Sequence, residues 1–155
     1  MVKSGGYIME NLRKPYIGLY EHNMDSKGRV MIPAELREQL GDSFYITAGL
    51  DNCIFVFDEE SFQEMDRQLK DLPFNRKRER AFQRMFYSPA RKVTLDKQGR
   101  ILIPQHLRKH ADLKKELVIT GNSNRVEIWD KERRDEYLNE IEMDYEDLAE
   151  EIEGL

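Results

Sequence analysis

Asp25-Ser-Lys-Gly-Arg-Val-Met-Ile-Pro-Ala-Glu-Leu-Arg37 returns 71 residues later as Asp96-Lys-Gln-Gly-Arg-Ile-Leu-Ile-Pro-Gln-His-Leu-Arg108. Seven of the thirteen positions are identical, and Val30/Ile101 and Met31/Leu102 are conservative pairs. After a one-residue gap the likeness continues more weakly, with Asn52-Cys-Ile-Phe-Val-Phe-Asp58 against Asn124-Arg-Val-Glu-Ile-Trp-Asp130. The spacing is longer than the 20–50 residues of a solenoid repeat, so one small unit is written twice.

Each copy has the same physical grammar. Residues 16–24 and 91–95 read as strands, and Asp-x-x-Gly then reverses the chain. Asp suits the first position of a type I turn and Gly the fourth. Gly28 and Gly99 can take positive φ there without steric cost, so Asp25, Gly28, Asp96 and Gly99 are expected to shape the turns. Residues 29–32 and 100–103 form the return strands. Pro33 and Pro104 end them and are expected at the first position of a short helix, where a missing N–H costs nothing. Leu36 and Leu40 give the first of these helices an apolar face, and Gly41 is a stop signal. A second hairpin follows in each copy, 44–48 with 53–57 and 116–120 with 125–129, joined by loops of turn chemistry.

Outward from the repeats the chain divides as follows. Residues 15–58 are the first unit and 91–130 the second. Residues 59–90 are a helical insert, broken near Pro73, whose first part buries Phe62, Met65 and Leu69. Residues 131–155 read as one long helix, with Tyr137, Ile141, Tyr145, Leu148 and Ile152 on a single stripe. That stripe can dock on the body of the chain or against another subunit. Residues 1–14, with Ser4-Gly5-Gly6 and no apolar period, read as a loose arm, and Met9 is a second candidate start. The fold class is α+β.

The charge pattern decides which partners are plausible. The net charge is −5, which at first argues against a polyanion. From Arg76 to Arg100, however, nine cations stand against two anions, a net of +7. From Asp130 to Leu155, three cations stand against twelve anions, a net of −9. An acidic end therefore masks a basic body, and local charge governs what DNA meets. No run approaches the roughly 18 apolar residues of a membrane span. There is no apolar leader, and one cysteine, Cys53, cannot make an internal disulfide, so a reducing cytoplasm is expected.

Four arginines are the candidate binding residues. A turn needs its Asp and Gly. It does not need Arg29 and Arg100 immediately after, nor Arg37 and Arg108 four residues beyond each Pro. Read alone, one such turn is merely a hairpin. Two copies about a pseudo-twofold would set paired arginines on one side. Duplex DNA has matching pseudo-symmetry, and the guanidinium fork fits guanine edges or phosphates. Lys27, Lys97 and Lys109 lie beside them. Arg76-Lys-Arg-Glu-Arg80 reads first as a solvated helix face, and otherwise as a contact for phosphate or for a neighbour's acidic surface.

Other chemistry finds little support. His106 and His110 have metal-ligand spacing, but Leu107 stands where a metalloprotease motif needs Glu, and no third ligand is evident, so no metal is expected. Cys53 reads as a small core residue. There is no phosphate-binding glycine loop and no nucleophile elbow. No catalytic residue, cofactor or small-molecule substrate is expected.

The sequence resembles the MraZ family from Tyr16 to Leu155. The likeness is carried by Ile17-Gly-x-Tyr-Glu-His22, Asp25-x-Lys-Gly-Arg29, Ile32-Pro33, Asp96-Lys-Gln-Gly-Arg-Ile-Leu-Ile-Pro104, Leu107-Arg108 and Glu127-Ile-Trp129. That family is similar to a tandem form of the AbrB-type DNA-binding unit. The resemblance implies two β-α-β units interleaved as a swapped-hairpin barrel, with Arg29, Arg37, Arg100 and Arg108 on double-stranded DNA. It also implies a homo-oligomeric ring and a nucleoid-associated regulator of transcription. Such a regulator would be a repressor, binding short repeats upstream of the cell-division and cell-wall gene cluster that includes its own gene. Two departures matter. A cation after the Leu-Arg arginine is Lys109 in one unit but Glu38 in the other. The position three before the Asp is His22 in one unit and Val93 in the other, so the halves are expected to contribute unequally. The rivals are an antitoxin-like interaction module and an enzyme.

Overall fold

The computed structural model describes residues 13–155. Nearly all of the expected arm, residues 1–12, lies outside the described residues. The order is β1 (Leu19–Asn23), β2 (Arg29–Met31), α1 (Ala34–Leu40), β3 (Ser43–Ala48), a 3-10 turn (Leu50–Asn52), β4 (Ile54–Phe57), α2 (Glu59–Lys70), α3 (Lys77–Tyr87), β5 (Arg91–Thr94), β6 (Arg100–Leu102), α4 (Gln105–His110), β7 (Glu116–Asn122), β8 (Arg125–Asp130), α5 (Lys131–Glu140) and α6 (Tyr145–Glu151). The mixture is α+β.

The strands form an antiparallel six-stranded sheet in the order β1-β7-β8-β4-β3-β5, and a separate two-stranded ribbon, β2-β6. Neither sheet closes into a barrel among the described residues. The second hairpin of each unit forms as its alternation predicts, β3 with β4 and β7 with β8.

The first hairpin differs from expectation. The chain reverses at both Asp-x-x-Gly turns, yet neither return strand ladders with the strand before it. β1 pairs with β7 of the other unit, β5 pairs with β3 of the other unit, and β2 pairs with β6. The reason is burial. Each return strand carries one inward residue in its three, Val30 or Ile101, and pairing across the units places both over one core.

That core is continuous. Val30, Ile32, Leu36, Phe44, Ile46 and Val56 of the first unit share it with Ile101, Ile103, Leu107, Leu117, Ile119 and Ile128 of the second. A unit of about 45 residues cannot enclose a sufficient core alone, whereas two can. Alternation along the strands assigns the faces. Phe44, Ile46, Ile54 and Val56 point to this core. Phe55 and Phe57 point to the opposite face, where the insert covers them. There Phe62 of α2 stacks on Tyr45 at 4.2 Å, and the Thr47 hydroxyl donates to the Phe86 carbonyl at 2.6 Å.

Three further expectations need correction. Pro33 and Pro104 are the caps of α1 and α4, one residue before the helices. Each has an extended ψ, near 139° and 150°, while its carbonyl already accepts the first helical N–H groups. The C-terminal helix is two helices. Ile141 is extended, and Asp144 starts α6 afresh by accepting the Asp147 N–H at 2.8 Å. The supposed stripe is thereby split: Tyr137 packs on Trp129, with ring centres 5.3 Å apart, while Tyr145 is 88% exposed. Finally, the described end of the arm is tied down. Arg13 pairs with Asp58 and Glu60 and donates to Ser61 Oγ, and the buried Tyr16 hydroxyl donates to Asp58.

Candidate nucleic-acid interface

The two turns are built alike. The Gly28 N–H donates to the Asp25 carbonyl at 3.0 Å, and the Gly99 N–H to the Asp96 carbonyl at 3.0 Å. One carboxylate oxygen of Asp25 accepts from the Lys27 and Arg29 backbone N–H groups, at 3.0 and 2.8 Å. The same oxygen of Asp96 accepts from Gln98 and Arg100, both at 2.9 Å. The other oxygen accepts from the arginine side chain: Arg29 Nε at 2.7 Å in one turn and Arg100 Nε at 2.9 Å in the other. The Arg29 N–H bond, then the Arg29 side chain and the Lys27 N–H, hold the Asp25 carboxyl at about 2. Asp96 is lowered by the corresponding bonds, led by the Arg100 N–H.

The arginine after the glycine thus has a structural use that the sequence did not reveal. It closes the turn. Because it does so through Nε, the outer nitrogens of Arg29 have no partner among the described residues and can make a second contact, whereas Arg100 Nη2 donates to Gln98 Oε1 at 3.4 Å. Arg100 Nη1 also lies 3.8 Å from Asp25, linking the two turns.

The ribbon sets these side chains side by side. Arg29 stands opposite Leu102, and Met31 opposite Arg100. Strand alternation turns Val30 and Ile101 inward and these four outward. Met31 is 38% exposed and Leu102 56%, so the outer face carries two arginines and two apolar side chains.

Arg37 and Arg108 arrive from α1 and α4, and they cross over. Arg108, from the second unit, lies on the first unit's turn: a Cβ at Gly28 would come within 2.8 Å of its Cζ. Arg37, from the first unit, lies on the second unit's turn, where a Cβ at Gly99 would overlap its guanidinium. The glycines are therefore required twice, for φ values of +90° and +80° and for the space beneath an arginine. Arg108 is fixed further by donating from Nε to the Ile103 carbonyl at 2.9 Å.

All four arginines are brought to one region, around the ribbon and its two turns. Lys27 and Lys97 are exposed at the turn tips, and Lys109 is exposed beside Arg108. Sequence reasoning missed Lys114 and Lys115, which border the first turn together with Arg108. They lie outside the repeated motif. Only continuing the comparison of the units past the short helix, with its shift in spacing, would have found them. The Arg76–Arg80 run lies elsewhere, at the start of α3. There Arg76 pairs with Glu79 at 3.6 Å and Arg80 donates to the Phe74 carbonyl at 3.0 Å.

The remaining chemical candidates have structural partners. His106 and His110 contact the Pro89 and Gly49 carbonyls at 2.9 and 3.0 Å. Cys53 is fully buried, and burial, reinforced by Glu127, pushes its thiol well up. No helix among the described residues is long and apolar enough to cross a membrane.

The family described as "MraZ protein, putative antitoxin-like" matches the chain twice, over residues 16–85 and 86–153. A protein of Finegoldia magna named "Transcriptional regulator MraZ" is 49% identical over 140 residues, spanning 90% of this chain and 98% of its own. Proteins of the same name from Desulforamulus reducens and Moorella thermoacetica are 51% and 50% identical, over 140 and 137 residues. These alignments cover 90% and 88% of this chain, and 99% and 96% of the relatives.

Proposed function

The chain belongs to the MraZ family, and on that premise we propose that it regulates transcription by binding double-stranded DNA through Arg29, Arg100, Arg37 and Arg108, with Lys27, Lys97 and Lys109 on flanking phosphates. The observation that carries this reading is the crossed arrangement of the arginines. Each turn presents its own arginine and receives one from the other unit, so the surface has the approximate twofold symmetry of a duplex. Cross-unit pairing of β1 with β7 and β5 with β3 supports reading the pair as a swapped-hairpin DNA-binding unit, open rather than closed.

The ribbon face fits a groove. Its arginines suit guanine edges or phosphates, and Met31 and Leu102 offer apolar contact to thymine methyl groups. Few side chains reach bases from so small a face, so DNA shape and phosphate contacts carry much of the recognition. Strength then comes from assembly. A homo-oligomeric ring would hold several such faces against short repeated sites and raise their effective concentration. Exposed Phe82 and Met85 on basic α3, and Leu148 and Ile152 at the acidic C-terminal end, supply complementary surfaces for that assembly. Bound at a promoter in the cytoplasm, on the nucleoid, the protein acts as repressor and autoregulator of the cell-division and cell-wall cluster.

The test is a titration of the full-length protein onto the DNA upstream of its own gene, at several salt concentrations, beside Arg37→Ala/Arg108→Ala. The expected result is specific binding that weakens with salt at a slope of about 0.9 per phosphate engaged. The double variant should remain folded and lose specific binding. A folded, oligomeric parent with no preference over random sequence would move the assignment to an antitoxin-like module. The acidic C-terminal segment would then be the element to test against a basic protein partner.

A further inference from the structure

We infer that the DNA-facing surface is electrically polarised, and that its stronger end is completed by Lys115, seconded by Lys114, as a grip on backbone phosphate. This rests on the DNA-binding reading above and goes beyond the arginine motif.

The approximate twofold places equivalent clefts beside the two turns. One is lined by Asp25, Arg108, Lys114 and Lys115, among others. Its mate includes Arg37, Glu38, Asp42, Asp96 and Lys97. A hydrogen bond fixes the equivalence. The Met24 N–H donates to the Lys115 carbonyl at 2.8 Å, and the Leu95 N–H, one repeat later, donates to the Asp42 carbonyl at 2.9 Å. Lys115 therefore stands where the other half has Asp42, and Lys114 stands where it has Gly41.

The charge count follows. In the first cleft three cations face one carboxylate, which is already satisfied by its own turn. In the second, two cations face three carboxylates. Lys109, next after the crossing Arg108 where the other half has Glu38, pushes the imbalance the same way. Salt screens exposed charges beyond about 8–10 Å, so nearby groups decide the local potential; these include Asp130, Glu132 and Asp135 at the start of the acidic segment, which line a neighbouring cleft together with Lys114 and Lys115.

The two lysines are not equal. Lys114 Nζ lies 3.3 Å from Asp112 and 3.6 Å from Asp130, so part of its charge is answered within the protein. Lys115 is exposed and has no ion-pair partner among the described residues. It is the side chain best able to meet a phosphate next to the one that Arg108 approaches. A pseudo-symmetric protein would then hold DNA with one end tighter than the other, and so bind a site in a preferred direction.

The experiment compares Lys115→Ala with its structural mate Asp42→Ala in the full-length protein, by fluorescence titration of the upstream duplex and by hydroxyl-radical footprinting. Both positions are exposed, and circular dichroism melts check that both variants fold. Lys115→Ala should bind more weakly and lower the salt slope by about 0.9, so that the parent's advantage shrinks roughly threefold between 50 and 200 mM salt. Its footprint should lose protection at one end of each site. Asp42→Ala should bind more tightly than the parent and keep both ends. An unchanged affinity and slope for Lys115→Ala, or a symmetric loss of protection, would overturn the inference while leaving the arginine reading intact. A parent that binds no duplex would overturn both.

Discussion

The turns at Asp25–Arg29 and Asp96–Arg100 are the same object internally and different objects in their surroundings. Their Gly-to-Asp hydrogen bonds are both 3.0 Å, and the side-chain clamps from arginine to aspartate are 2.7 and 2.9 Å. Around them the likeness fails. Arg108 over the first turn is bonded to the Ile103 carbonyl, and the described residues show no counterpart for Arg37 over the second. Arg100 reaches across to Asp25, and no matching contact from Arg29 to Asp96 is present among the described residues. What a five-residue segment needs to make its own turn has been kept in both copies. What each turn meets from the other unit has diverged.

The largest test of that contrast lies beneath the turns. Ile32 and Ile103 are equivalent, both fully buried, and both in the shared core. Truncation of either to alanine is expected to lower stability by about 2–5 kcal/mol. Urea unfolding should remain a single transition in both variants. Two separated transitions would mean that the units fold apart and that the core is not held in common.

A smaller effect is expected at the glycines. Gly28→Ala and Gly99→Ala both force a side chain into the left-handed region, which costs about 1–2 kcal/mol. Gly99→Ala should cost more, because its Cβ overlaps the Arg37 guanidinium more deeply than a Cβ at Gly28 meets Arg108. Thermal melts of the pair measure the difference, and equal shifts would show the two crossings to be equivalent after all.

The turns should also respond to acid. Asp25 is lowered from 3.8 to about 2, so its stabilising effect is present above its unfolded value and is lost as pH falls toward the folded one. Stability should therefore fall as the pH drops from about 4 to 2, and Asp25→Asn should flatten that slope. Carboxyl titration by NMR gives the site directly: a midpoint for Asp25 near its ordinary value would contradict the clamp.

The smallest effect is expected at the far end of the chain. Ending the protein after Met143 removes α6, whose Tyr145 and Ile152 are exposed. Stability should change by less than about 0.5 kcal/mol, the range of ordinary surface changes. A larger loss would show that α6 is seated on the body or on another copy, and native mass measurements would separate the two.

Much of this was legible in the residues. The duplicated motif, the turn chemistry, the second hairpins and the break near Pro73 all depend on short-range signals that a sequence carries openly. The arginines were legible as candidates because they recur where a turn has no evident need of them. Their clamp to aspartate was not, since it depends on side-chain reach around a closed turn. The C-terminal segment departs from its one-helix pattern for a related reason. Apolar steps of three and four are equally compatible with one helix or two, and Asp144, as a side-chain cap, decided for two. Arg13 reads in sequence as part of a loose arm because its partners, Asp58 and Glu60, lie more than forty residues away.

By itself, then, the sequence determined that one small unit occurs twice, that each copy contains an Asp-x-x-Gly reversal and a following short helix, and that cations concentrate in its middle. These are local matters of dihedral preference, periodicity and charge. Only the tertiary structure decided that each unit completes the other. β2 lies on β6, Arg37 and Arg108 trade turns, and Lys115 comes to stand opposite the place of Asp42. The physical reason is that one unit has too little interior to bury its own apolar strand. It finds cover in the second copy, and no pattern within either copy records where the side chains of its partner will fall.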